Sequence, residues 1–302
     1  MNKNRKLITF DWAIKRLLRS KANFGILEGF LAELLKEDIT ILDVLESESN
    51  KFNRVDLKVR NQKQEVIIIE IQYDREYDYL QRIFYGVSKT AVEHLEENKS
   101  YASITKVISV NILYFDLGCS SDYIYKGTTR FIGLHNHDLL ELNEKQKQLF
   151  KKDSVESLYP EYYLIKINRF NDIAKDTLDE WIYFLKNEEI KESFTAKGLK
   201  EAQEKLSIMK LPEDEQKAYQ HYKDDLHYQA SMFESSFGDG YNEGKAEGVA
   251  QGKTEMLSVM LKHRFGDLPD ATLDKLKHAG EEQLQQWLIN AISAATLDAV
   301  FG

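Results

Sequence analysis

The sequence predicts an α/β fold: a mixed sheet with helices on its faces, then a helical extension and a small helical C-terminal module. Three observations predict it. The segment "EVIIIEIQ", residues 65–72, sets four β-branched apolar residues, Val66 to Ile69, in one short run, the pattern of a strand buried on both faces. Around that run, helix-like and strand-like segments follow one another in the order α-β-β-β-α-β. Beyond about residue 138 charged helical stretches dominate.

The elements come in order along the chain. From Asp11 to about Lys36 apolar residues recur at helical spacing (Ile14, Leu17, Leu18, then Ile26, Leu27, Phe30, Leu31, Leu34 and Leu35), and Asn23 and Gly25 mark a break between two helices. "ITILDVLES", "RVDLKVR" and "EVIIIEIQ" are three strands, and the polar "NQKQ" is the hairpin turn between the last two. In "YDYLQRIFYGVSKTAVEHLEE" apolar residues at 80, 83, 84, 87, 91 and 95 define an amphipathic helix, and "KVISVNILYF" is another apolar strand. "TLDEWIYFLKN" and the tract from Lys197 to Gln229 read as helices. Gly240, Gly244, Gly248 and Gly252 then recur at every fourth position. Such a run is either one face of a helix that permits close approach of a partner helix or a linker, since glycine disfavours helix by roughly 1 kcal/mol per residue. The polar residues between the glycines exclude the membrane form of that motif. From residue 254 the chain reads as a compact helical module with turns at "FGDLPD" and "HAGEEQ".

Composition bounds the function. A hydrophobic fraction of 42% with 11% aromatics describes a globular chain. No apolar stretch reaches bilayer length, and the charged N-terminus lacks a small-residue cleavage site, so neither a membrane span nor a secretory signal is expected. The single cysteine, Cys119, excludes an intrachain disulfide and fits a cytoplasmic location. The net charge of −9 argues against tight non-specific binding of nucleic acid. It is uneven, however: residues 1–135 hold 20 Lys+Arg against 19 Asp+Glu, and residues 1–21 hold seven basic side chains and one acid. A local basic surface of that kind is what contact with phosphates requires.

One pairing carries chemistry. Folding "RVDLKVRNQKQEVIIIEIQ" into an antiparallel hairpin centred on Lys63 sets Asp56 opposite Glu70, with side chains about 5 Å apart on a shared face, and Gln72 points to that face too. Two facing carboxylates repel unless a proton or a cation lies between them. Hard oxygen donors suit Mg²⁺, with Mn²⁺ or another divalent ion as alternatives, and a metal there would activate a water against a scissile phosphate. The competing reading pairs the carboxylates with basic neighbours such as Lys58 or Arg60. Asp11 is placed to favour the positive end of its helix. Arg82, Tyr85 and Lys89 form a stripe on the amphipathic helix that is either a solvated face or a set of groups for phosphates or for orienting Glu70 and Gln72. "LHNHD" is a loop: His135 and His137 have no third ligand at zinc spacing.

Asp56 followed after a turn by Glu70-Ile71-Gln72 resembles the PD-(D/E)XK (restriction-endonuclease-like) nuclease core, in which a strand Asp and a following Glu-x-Lys bind the metal. "FDWAIKRLL", "VDLKV…IIIEIQ", "QRIFYGVSK" and "VISVNILYF" resemble its recombination-promoting nuclease, transposase-like branch, whose third motif is Glu-x-Gln. The likeness spans about residues 9 to 230, and "RFGDLP…EEQLQQW" is similar to a small helical domain of unknown function. Two positions depart from the superfamily pattern: Gln72 stands where lysine is usual, and Val55 where proline is. The resemblance implies a nuclease-like domain over 1–230 with a helical C-terminal half, a glycine repeat at 231–253, linker or helix, and a helical module at 254–302. It implies a Mg²⁺-dependent DNA endonuclease with Asp56 and Glu70 on the metal, Asp11 assisting, Gln72 positioning water, and Arg82 and Tyr85 in support. DNA and a second copy are the expected partners, with no membrane. The alternative is a catalytically silent nuclease fold that acts as a DNA-binding or oligomeric assembly module.

Overall fold

The protein is described from a computed structural model, which places residues 7–45, 56–93, 100–119 and 121–302. Arg54 and Val55 at the start of the second strand, and the amphipathic helix past Glu93, lie outside the described residues. Six strands form one sheet: β1 (Ile41–Leu45), β2 (Leu57–Asn61), β3 (Val66–Gln72), β4 (Val107–Leu113), β5 (Ile124–Gly127) and β6 (Glu161–Lys166), in the order β1-β2-β3-β4-β6-β5. β3, β4 and β6 run parallel, while β1–β2, β2–β3 and β5–β6 are antiparallel. Central parallel strands are covered on both faces, which is why every residue of β4, and every residue of β3 before Gln72, is buried.

The β2–β3 hairpin has the register that its sequence dictates. Leu57 faces Ile69, Lys58 faces Ile68, Val59 faces Ile67 and Arg60 faces Val66. The turn is set locally: the Asn61 side-chain carbonyl accepts from the backbone N–H of Lys63 (3.0 Å) and of Glu65 (2.9 Å), and Gln64 adopts the left-handed region.

Helices cover both faces. α1 (Phe10–Arg16) and α2 (Phe24–Leu35) precede the sheet, and the break between them falls at Leu17–Asn23. α3 (Tyr79–Glu93) links β3 to β4 and packs Tyr79, Ile83 and Val87 against Ile68, Val107 and Phe115. α4 (Glu144–Phe150), α5 (Thr177–Asn187), α6 (Leu199–Lys205) and α7 (Glu213–Phe265) follow. Edge-to-face aromatic contacts join Phe10, Phe30, Trp181 and Phe184, so α1, α2 and α5 share one core. Where α2 meets the start of α6 the backbones touch: a Cβ on Gly29 would lie 2.3 Å from the Lys197 carbonyl oxygen. Gly198 supplies the left-handed conformation there, with φ +84.

Two strands lie outside the expected α-β-β-β-α-β order. β6 falls where the charged text predicts helix; "EYYLIK" is aromatic and apolar enough to sit between β4 and β5. The glycine repeat is helical, inside α7, and Gly240, Gly244, Gly248 and Gly252 face open space.

The chain divides into two compact units at Tyr219 and Gln220. The second unit builds its own core from Leu257 and Leu261 of α7, Leu276 of α8 (Asp270–Lys277), Leu284 and Trp287 of α9 (Glu281–Ser293) and Val300 of α10 (Asp298–Phe301). Among the described residues no helix is long and apolar enough to cross a membrane.

Candidate active site

Four elements bring charge to the C-terminal end of β3. Thr9 caps α1, accepting from the Trp12 N–H at 3.3 Å, which fixes Asp11 in the first turn at 2% exposure. Lys15, one turn later on the same helix face, sets its ammonium 2.8 Å from Asp11 and 3.6 Å from Asp56. Asp56 lies one residue before β2, where continuing the register puts it opposite Glu70. Its Oδ2 accepts from the Ile71 backbone N–H at 2.7 Å, which holds the carboxylate at the end of β3. Arg19 donates to the Asp56 backbone carbonyl at 2.7 Å.

Glu70 pairs with Arg82 of α3 at 2.5 Å. The same guanidinium reaches Glu76 at 2.6 Å, and Glu76 accepts from the Gln72 amide at 3.0 Å. Gln72, Glu76, Arg82 and Glu70 thus form one chain of hydrogen bonds. The Gln72 amide also donates to the Asp74 carbonyl at 3.3 Å. Behind Glu70, the Tyr79 hydroxyl donates to Asn111, the residue paired with Glu70 on β4, at 3.4 Å.

The carboxylates are under-compensated even so. Burial pushes Glu70 up to about 7; Arg82 pulls the other way, while Asp56 and Glu76 add to the rise. Asp56 is raised by burial too, against the opposing Ile71 N–H and Lys15. Burial alone would lower Lys15, yet Asp11 and Asp56 hold it above its ordinary value. These shifts describe two carboxylates whose burial two cationic side chains do not offset. Among the described residues no group of three or more His, Cys, Asp or Glu side chains stands arranged to hold a metal. The donors that fit one are the pair Asp56 and Glu70, hard oxygen ligands of the number Mg²⁺ usually takes from a protein.

The structure therefore brings together Asp11, Asp56, Glu70, Gln72 and Arg82. Tyr85 is exposed one turn further along α3 and touches none of these groups among the described residues. The cations beside the carboxylates are Lys15 and Arg82; Lys58 turns to Glu93, 3.1 Å away. Lys15 and Glu76 were missed from sequence. The i,i+4 spacing of Asp11 and Lys15 is a signal that could have found the first. His135 and His137 are exposed in a turn, as the sequence indicates.

A search of curated proteins returned no match, and neither did a search of solved structures. A family model matches three quarters of the chain and takes in every one of these site residues: over residues 8–235, the protein belongs to the PD-(D/E)XK nuclease family transposases.

Proposed function

We propose that the protein is a divalent-cation-dependent DNA endonuclease, with Asp56 and Glu70 as metal ligands and Mg²⁺ or Mn²⁺ as the ion. The observation that carries this reading is Glu70, a buried carboxylate held near pKa 7 beside Asp56 in spite of Arg82. Two buried carboxylates at one sheet end favour a cation that lets both ionise. A metal bound there supplies Lewis-acid polarisation of the scissile phosphate and a water of lowered pKa. The chain's own groups do the rest. The Gln72 amide donates to Glu76 and Asp74, which leaves its carbonyl oxygen to accept from a water and orient it. Gln72 carries no charge where the superfamily pattern has lysine; Lys15, 46% exposed beside Asp56, supplies a positive charge close to the site. Arg82 fixes the Glu70 carboxylate and, with Lys15 and Arg19, gives the site edge a basic character suited to the DNA backbone. Asp11 holds Lys15 in place.

Incubating the purified chain with plasmid in Mg²⁺, Mn²⁺ or EDTA tests the reading. Cleavage is expected with metal alone, and Glu70→Ala should lose it by orders of magnitude. Cleavage in EDTA, or full activity in Glu70→Ala, would overturn the assignment. Two copies are proposed per cut duplex, because two strands need two sites; light scattering with and without a DNA duplex checks this.

One observation favours the silent-module reading instead: Lys15 and Arg82 already sit on the carboxylates, and Gln72 is neutral. On that reading, calorimetric titration with Mg²⁺ shows no binding while DNA still binds.

A further inference from the structure

We propose that the opposite end of the sheet carries a second binding site, for a small anion bearing phosphoryl groups. Its place follows from the strand directions. Glu65, just before β3, and Glu70 near its end stand about 17 Å apart along the strand. A cavity of about 450 Å³ opens at the Glu65 end, between the β2–β3 turn, the starts of β4 and β6, β5, and the segment after α4. Five lysines line it: Lys63, Lys106, Lys126, Lys151 and Lys152. Four acids share the wall, so the lining is net positive in a chain of net charge −9.

Ion pairs engage four of the five and leave Lys151. Glu161 takes Lys106 at 2.5 Å, Lys126 at 3.2 Å and the Tyr163 hydroxyl at 3.1 Å. Glu65 takes Lys152 at 2.7 Å and the Asn61 amide at 3.0 Å. Lys63 pairs with Glu37, and Lys151 has no partner among the described residues. Asp153, exposed, is the remaining acid on the wall. Five ammonium groups against the four wall carboxylates, Glu37, Glu65, Asp153 and Glu161, leave one net positive charge, with Lys151 as the cation that no wall acid takes. Lys106, with a side chain only 10% exposed, cannot satisfy its donors freely with bulk water.

The electrostatics agree with the charge count. Burial would raise Glu65 and Glu161, yet both lie below the ordinary carboxylate range, held there by Lys152 and Asn61 and by Lys106 and Lys126 respectively. At Glu70 burial outweighs its one guanidinium, whereas at Glu65 and Glu161 the lysines outweigh burial. The apolar part of the wall is small, chiefly Leu35 and Ile108. Such a cavity recognises oxygen-rich charge and not an apolar body. Phosphoryl groups combine several strong acceptors with more than one negative charge, and the volume suits a ligand up to about nucleotide size. None of this depends on the nuclease reading.

Calorimetric titration of the full chain with inorganic pyrophosphate in EDTA tests the site. Saturable binding at one equivalent is expected, at least about tenfold weaker in the Lys126→Gln/Lys151→Gln double variant. Lys151→Gln alone, at an exposed residue outside any ion pair, should weaken it measurably and keeps the test valid if the double variant misfolds. Glu70→Gln should bind as the parent does. Absence of heat, binding indifferent to both lysine variants, or binding lost in Arg82→Gln would each overturn the proposal, the last by placing the anion at the first site. Displacement of pyrophosphate by a short DNA duplex would also overturn it, because the lysines would then serve a nucleic-acid backbone.

Discussion

Glu70 lies 2.5 Å from a guanidinium and still keeps its proton up to about pH 7, because burial and Asp56 outweigh that one cation. A carboxyl raised above its ordinary 4.5 binds its proton more tightly when folded than when unfolded. Its contribution therefore favours folding most below about pH 4.5 and is lost as pH rises through about 7, a span of about 3 kcal/mol. Denaturant melts in EDTA should show stability falling between those pH values, with the slope largely removed in Glu70→Gln. Asp56 is raised for the same reason, so Asp56→Asn should melt higher than the parent at neutral pH in EDTA while failing to cleave plasmid. Lys15, half exposed and still beside Asp11, is not stranded by that change. A lower melting temperature in Asp56→Asn would mean that the carboxylate serves as a structural ion pair.

Two sets of glycines make opposite forecasts about their helices. On Gly29 of α2 a methyl group would strike the backbone at Lys197 and Gly198, atoms that cannot move aside alone. Gly29→Ala should cost about 3 kcal/mol, read from a chemical melt. Gly244 and Gly248 of α7 meet nothing, so alanine at each should stabilise by about 1 kcal/mol through helix propensity. A drop in melting temperature there would reveal a partner lying on that face. The sequence displayed some elements and hid others for the same kind of reason. The hairpin was legible because its two strands and a four-residue turn are local, so counting outward from Lys63 pairs Asp56 with Glu70. Arg82 was legible as part of a helical stripe. Lys15 was not, because its approach to Asp56 depends on how α1 packs at the sheet end, and Glu76 sits in the β3–α3 loop, where no periodicity applies. β5 and β6 were missed because their pairings are distant in sequence: β6 pairs with β4 about fifty residues before it, and β5 with β6 about forty residues on.

At the scale of the molecule, the unit boundary at Tyr219 predicts where the chain can be cut. A chain ending at Gly238 should retain a cooperative melt and the first unit's circular dichroism, since Tyr219 remains. Tyr219→Ala should cost about 3 kcal/mol: the ring is 3% exposed and packs edge-to-face on Trp12, 5.4 Å between centroids. Its hydroxyl accepts from the Thr9 N–H at 3.1 Å, across 210 positions of sequence, and the Ile8 N–H donates to the Leu206 carbonyl at 3.0 Å. The helix bearing Asp11 and Lys15 is thus fastened by residues made long after it. During translation, at about 5–20 residues per second, some ten seconds or more separate synthesis of α1 from synthesis of the residues that anchor it. A nascent chain still on the ribosome, or one released early by a premature stop, lacks those anchors. The fold thereby ties assembly of its charged cluster to near-complete synthesis of the first unit.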